Sequence, residues 1–147
     1  MVGMTARTSF DRRRIQRASR DGSIKSLGHG AAAIRLVARR SIKRAPKARG
    51  RDAKGRFVSE GGTIPSAPGK PPHTRKGQIK RAIVYAVEKQ EERAVIGPQY
   101  SVMGPSAMAH EHGGRFRGQK FRPRPFMGPA LVKVAPRLPR MWRGSVR

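Results

Sequence analysis

Apolar residues recur at three- and four-residue steps from Ile24 through Leu27, Ala31, Ile34 and Ala38 to Ile42, while Arg35, Arg39, Arg40 and Lys43 fall largely elsewhere. That period puts one apolar stripe on a helix and predicts helical structure over residues 9–44. Asp21-Gly22 and the triplet Gly28-His29-Gly30 are expected to divide it into a short basic arm, residues 1–22, and a main helix ended by Pro46. The period changes to two over Ile79–Val87, with Ile83, Tyr85 and Val87 on one face. The polar stretch 88–92 then turns the chain and Arg93–Ile96 returns before Gly97-Pro98, so this region reads as a β-hairpin. Ser106–His112 predicts one or two helical turns stopped by Gly113-Gly114, and a basic, glycine-containing loop follows to Pro125. A last helix is expected from Phe126, with Pro129 tolerated in its first turn. Leu131, Val134, Leu138 and Met141 or Trp142 would share its inner face, and Pro136 and Pro139 predict a kink near Ala135.

Residues 45–76 have neither period. Five glycines and five prolines with many charges leave too little apolar surface to bury, so the segment reads as an extended basic connector. It is either a surface loop or an arm that orders against a neighbouring subunit, and residues 51–62 give a weak hairpin signal. A chain of 147 residues suits a single domain with a modest core.

Charge changes the picture more than any single residue. Lys and Arg number 34 against 8 acidic residues, a net charge of +26. Self-repulsion of that size opposes compaction, so a polyanion or an acidic partner is expected nearby. Nucleic acid fits, because each neutralised phosphate releases counterions and gives affinity without sequence readout. With aromatics at 5%, a base-stacking platform is disfavoured, and contact with duplex backbone is favoured over base reading. The basic residues fall in four runs, and the candidate contacts to nucleic acid or an acidic partner are Arg12, Arg13, Arg14, Arg39, Arg40, Lys43, Arg44, Arg49, Arg51, Arg115 and Arg117. A solvated face is the ordinary meaning of one such run, and four in one short chain make that meaning insufficient.

Other chemistry is thinly represented. The chain has no cysteine, hence no disulfide or thiolate ligand. No apolar run reaches the roughly 18 residues of a membrane span, and the N-terminal residues lack the apolar core of a secretory signal. His110-Glu111-His112 is the one cluster that resembles a metal site, but histidines two apart do not share a helical face and no third ligand is evident. The carboxylates are scattered, and no nucleophile elbow, P-loop or dinucleotide fingerprint occurs. The expectation is a protein without catalytic residues, cofactor or metal.

Four segments stand in a telling order: APGKPPHTRKGQIKRAI (residues 67–83), VIGPQY (95–100), MAHEHGG (108–114) and RPRPFMGPAL (122–131). In that order they resemble the tail-completion, or head–tail joining, family of tailed phages, whose members are minor tail or neck proteins. The resemblance spans residues 31–142 and rests on Pro72, Gly77, Gly97, Glu111, Gly113, Pro125, Phe126 and Pro129 as fold and assembly positions. Lys76-Gly77 departs from the family's Thr-Gly, and the connector before Pro65 is unusually long and basic. The resemblance implies an α+β fold, with a long N-terminal helix and a kinked C-terminal helix packed on a small antiparallel sheet. It implies a homo-oligomeric ring, sixfold or twelvefold, in the virion neck, between portal- or adaptor-side and tail-tube-side proteins, around the genomic DNA. Such a protein would be made in the host cytoplasm and would touch no membrane. Gly97, Gly113 and Gly114 would then permit turns, and Phe126 would anchor the chain on the core. The competing class is a ribosomal or nucleoid-type nucleic-acid binder, which rests on composition alone.

Overall fold

The computed structural model describes residues 11–51 and 57–145, with the side chains of 48, 49, 51 and 57–63 outside that description. Asp11 opens the first helix: its carboxylate accepts from the Arg14 backbone N–H at 3.0 Å. The helix α1 then runs unbroken from Arg12 to Ser41, 30 residues or about 45 Å of axis. Asp21-Gly22 and Gly28-Gly30 therefore do not separate an arm from a main helix. The glycines serve packing instead. A Cβ at Gly22 would overlap the Ser145 carbonyl, and one at Gly30 would lie 3.1 Å from Leu138 Cδ2. Gly22, Ser26, Gly30, Ala31, Ile34 and Ala38 form the buried stripe of α1, so small side chains let the C-terminal segment lie close along it. The Ser26 hydroxyl sits 2.8 Å from the Met141 carbonyl oxygen and 2.9 Å from that of Gly22, and its one proton serves either.

The core lies where the second half of α1 meets the rest of the chain. Ile34, Ala38 and Ile42 pack with Ile83, Phe126, Ala130 and Val134. Among the described residues ten hydrophobic positions are buried and five of them are alanine (31, 38, 82, 109 and 130), so the core is small.

The connector is more structured than its composition suggests. Strands β1 (Lys47–Arg51) and β2 (Phe57–Thr63) pair antiparallel, and Ile64 N–H donates to the Pro46 carbonyl at the base of the hairpin. Beyond it, Thr74 is tied to the exit of α1: Thr74 N–H donates to the Lys43 carbonyl (2.9 Å) and Ala45 N–H to the Thr74 carbonyl (3.0 Å).

The predicted hairpin begins later than its apolar alternation does. Thr74 Oγ1 accepts from Gly77 N–H at 3.0 Å, Gly77 takes φ +75°, and Gln78–Ala82 forms a single helical turn, α2. The strands proper are β3 (Ile83–Glu88) and β4 (Arg93–Pro98), paired antiparallel with Ile83 opposite Pro98 and Glu88 opposite Arg93. Gly97 lies within β4 opposite Val84 and makes no turn. Two short helices follow, α3 (Tyr100–Met103) and α4 (Ser106–His112), the second stopped by Gly113 as expected.

The basic stretch after Gly113 is a third hairpin rather than a loop. Strands β5 (Gly114–Phe116) and β6 (Gln119–Phe121) pair across Arg117 (φ 50°) and Gly118 (φ 75°). Positive φ at both central residues is the geometry that matches strand twist in a two-residue hairpin. The chain ends in α5 (Met127–Val134), a 3₁₀ turn at Ala135–Arg137 and α6 (Leu138–Trp142), which places the kink at the expected Ala135. Ala130 and Val134 face the core, Leu138 is half-buried, and Leu131 stays 49% exposed, outside the inner face assigned to it. The result is the expected α+β arrangement: the long N-terminal helix packs on the two-stranded antiparallel sheet β3–β4, and the kinked C-terminal segment packs along α1.

Candidate functional site

Two of the sequence segments meet in space. The Glu111 carboxylate of α4 accepts from the backbone N–H groups of Phe126 (2.9 Å), Met127 (3.1 Å) and Gly128 (2.8 Å). It thus caps α5 from outside the helix, satisfying three N–H groups that no intrahelical carbonyl can reach. Phe126, 1% exposed, drops into the core at that point, and Pro129 sits in the first turn, where its missing N–H costs nothing. Gly113 makes the reversal possible. Its φ is +77°, and a Cβ there would stand 3.1 Å from the Phe121 carbonyl oxygen and from Pro123 Cδ.

The strap Arg122–Pro125 is pinned on both sides. Arg124 N–H donates to the His110 carbonyl, Arg124 Nε to the Ser66 carbonyl (2.8 Å), and Gly69 N–H to the Pro123 carbonyl (2.8 Å). Pro72 is buried nearby in sequence, and Pro125 is half-buried. Arg35 is similarly occupied, donating from Nε to the Ile83 carbonyl at 2.8 Å. These arginines hold the fold.

His110 and His112 do not converge. His112 is exposed, whereas the His110 ring is half-buried edge-on to Phe121, 6.5 Å between centroids, with Nδ1 buried and unpartnered. Burial first, and the Arg124 guanidinium second, hold this imidazole below its usual pKa. With Glu111 committed to α5, the cluster offers no ligand set, and among the described residues no three metal-binding side chains stand together.

Most of the remaining positive charge is uncompensated. Arg93 Nε lies 2.6 Å from Glu88 and 2.9 Å from Glu91, and Arg20 Nε lies 3.4 Å from Glu92. Among the described residues these are the only ion pairs, and all of them lie at the acidic hairpin tip. The predicted contacts do not form one patch. Arg12, Arg13 and Arg14 lie exposed in the first turn of α1, while Arg39 and Arg40 lie in its last, about 40 Å along the axis. Arg40 borders a groove of about 390 Å³ between α1 and α5, over Phe126 and Pro129. Lys43 and Arg44, both exposed, open onto different hollows. Arg115 and Arg117 stand on the third hairpin, the latter 5.4 Å over the Phe116 ring. The side chains of Arg49 and Arg51 lie outside the described part.

One hollow joins the predicted contact Arg44 to three cations outside the predicted set, Arg75, Lys76 and Lys80. Arg44, Arg75, Lys76 and Lys80 line a cavity of about 400 Å³ with Thr74 and Gly77 as its other walls. The available signal was Lys76 and Lys80, four residues apart, together with the predicted exit of α1 at Arg44. What the sequence lacked was the pairing of residues 43–45 with Thr74. No helix among the described residues is long and apolar enough to cross a membrane. Comparison of the chain with family models, curated proteins and solved structures found no match.

Proposed function

We propose that the chain is a structural, non-catalytic subunit of the phage neck, forming a ring that joins head and tail and surrounds the DNA path. The carrying observation is the ordered series of segments between residues 67 and 131, two of which are coupled through Glu111 and the start of α5. A merely basic protein has no need of such a series.

Two features of the surface support assembly. The small core leaves large apolar side chains outside, among them Tyr100 (74% exposed), Val132 (73%) and Met108 (65%), and a ring interface is a natural place for them. A net charge of +26 with few ion pairs among the described residues calls for an external polyanion, and DNA in a central passage supplies one. The dispersal of cations over both ends of α1 and the third hairpin favours a second reading, a free nucleoid- or ribosome-type binder. Electron microscopy and sedimentation of the purified chain separate the two. Closed annular oligomers are expected; monomers that only compact free DNA or co-sediment with ribosomes would favour the second.

A further inference from the structure

We infer that the hollow lined by Arg44, Arg75, Lys76 and Lys80 is a phosphate clamp for the DNA backbone, the place where the protein grips the strand it surrounds. This rests on the DNA-path reading and adds the contact point.

The fold assembles this site from two distant basic runs. Helix α1 stops at Ser41, and Ile42, fully buried, anchors the chain as it leaves. The paired backbones of Lys43–Ala45 and Thr74 then bring Arg44 beside Arg75 and Lys76. The buried Thr74 hydroxyl bends the chain at Gly77, and α2 returns Lys80 to the same hollow. Arg81 Nη2 donates to the Lys76 carbonyl at 3.3 Å, tying the backbone below Lys76. Four cations therefore share one concavity whose lining contains no carboxylate. Among the described residues none of the four enters an ion pair.

Placing like charges together in a hollow is unfavourable unless an anion occupies it. The residues that line it include no aromatic side chain to stack a base and no aliphatic residue to seat an apolar peptide side chain. Two guanidinium forks and two ammonium groups match phosphodiester oxygens, the arginines by paired donors and the lysines as point charges. Such a contact holds a backbone without reading bases.

The test is binding of a fluorescent duplex DNA of about 20 base pairs by the full chain over a range of salt. Each neutralised phosphate contributes a slope of about 0.9 in log K against log salt. The triple variant Arg75→Ala/Lys76→Ala/Lys80→Ala is expected to flatten the slope by about 2 to 3. An equal charge loss at three exposed cations elsewhere, Lys25→Ala/Lys120→Ala/Arg143→Ala, is expected to change it by less than about 1. Lys76→Arg/Lys80→Arg keeps binding, which separates charge from folding. Equal effects of the two triple variants, an unchanged slope in the first, or a wild-type chain that ignores DNA would overturn the proposal. So would tight binding of inorganic phosphate, measured calorimetrically, combined with DNA binding indifferent to the pocket variant. That result would mark a small-anion site. Rings that form but do not bind DNA would overturn the clamp and spare the neck reading; pocket-dependent binding by a strict monomer would do the reverse.

Discussion

Glu111 holds the start of α5 through three backbone N–H groups, and a charged acceptor makes each of these bonds stronger than a neutral one would. Glu111→Ala should cost about 2 kcal/mol or more in denaturant unfolding, because partly buried donors lose their partner. Glu111→Gln should cost less, since its amide oxygen still accepts. If Glu111→Ala unfolds like the native chain, the cap is not what holds α5. His110 gives a prediction in pH. Folding keeps its imidazole below the ordinary value of 6.5, so its contribution is complete above that value and is lost as pH falls through the lowered one. His110→Gln should therefore show a shallower loss of stability than the native chain between pH 7 and about 5. Parallel curves would contradict the burial argument. The sequence made Glu111 legible as a motif residue and Phe126 as an anchor. It did not expose the contact between them, because fourteen residues and a hairpin intervene.

Among the elements, the long helix and the kink at Ala135 were readable from periodicity and from proline's missing donor. Gly22 and Gly30 look like helix breaks because glycine costs roughly 1 kcal/mol in a helix, but packing against Ser145 and Leu138 offsets that locally. The third hairpin was hidden because Arg117, an uncommon residue at positive φ, takes the position usually held by Asn or Gly. The start of the second hairpin was misplaced because Ile79 continues the alternation of Ile83, while the Thr74–Gly77 turn imposes a helical turn between them. Gly22→Ala tests the first of these points. It should keep or raise helical circular dichroism while residues 142–145 lose hydrogen-exchange protection, because a Cβ displaces the Ser145 carbonyl. Unchanged protection would show that the close approach is not needed.

Taken as a whole, the molecule combines a small core, exposed apolar side chains and a large charge that its own carboxylates do not neutralise. Charge and its four runs were plain in the sequence, but their arrangement was not. Arg44 joins Arg75, Lys76 and Lys80 only through the Thr74 pairing, whereas Arg12–Arg14 and Arg39–Arg40 lie at opposite ends of one rigid rod. A single copy therefore presents cations on several sides, and the hollow is where four of them converge on one concavity without a carboxylate. The most direct measurement of the neck proposal is a cryo-electron microscopy map of particles produced from the genome that encodes this chain. Annular density at the head–tail junction into which this fold fits is expected, with the hollow of Arg44, Arg75, Lys76 and Lys80 turned toward the DNA passage. A junction fully accounted for by other proteins, with this chain absent from the particle, would contradict it.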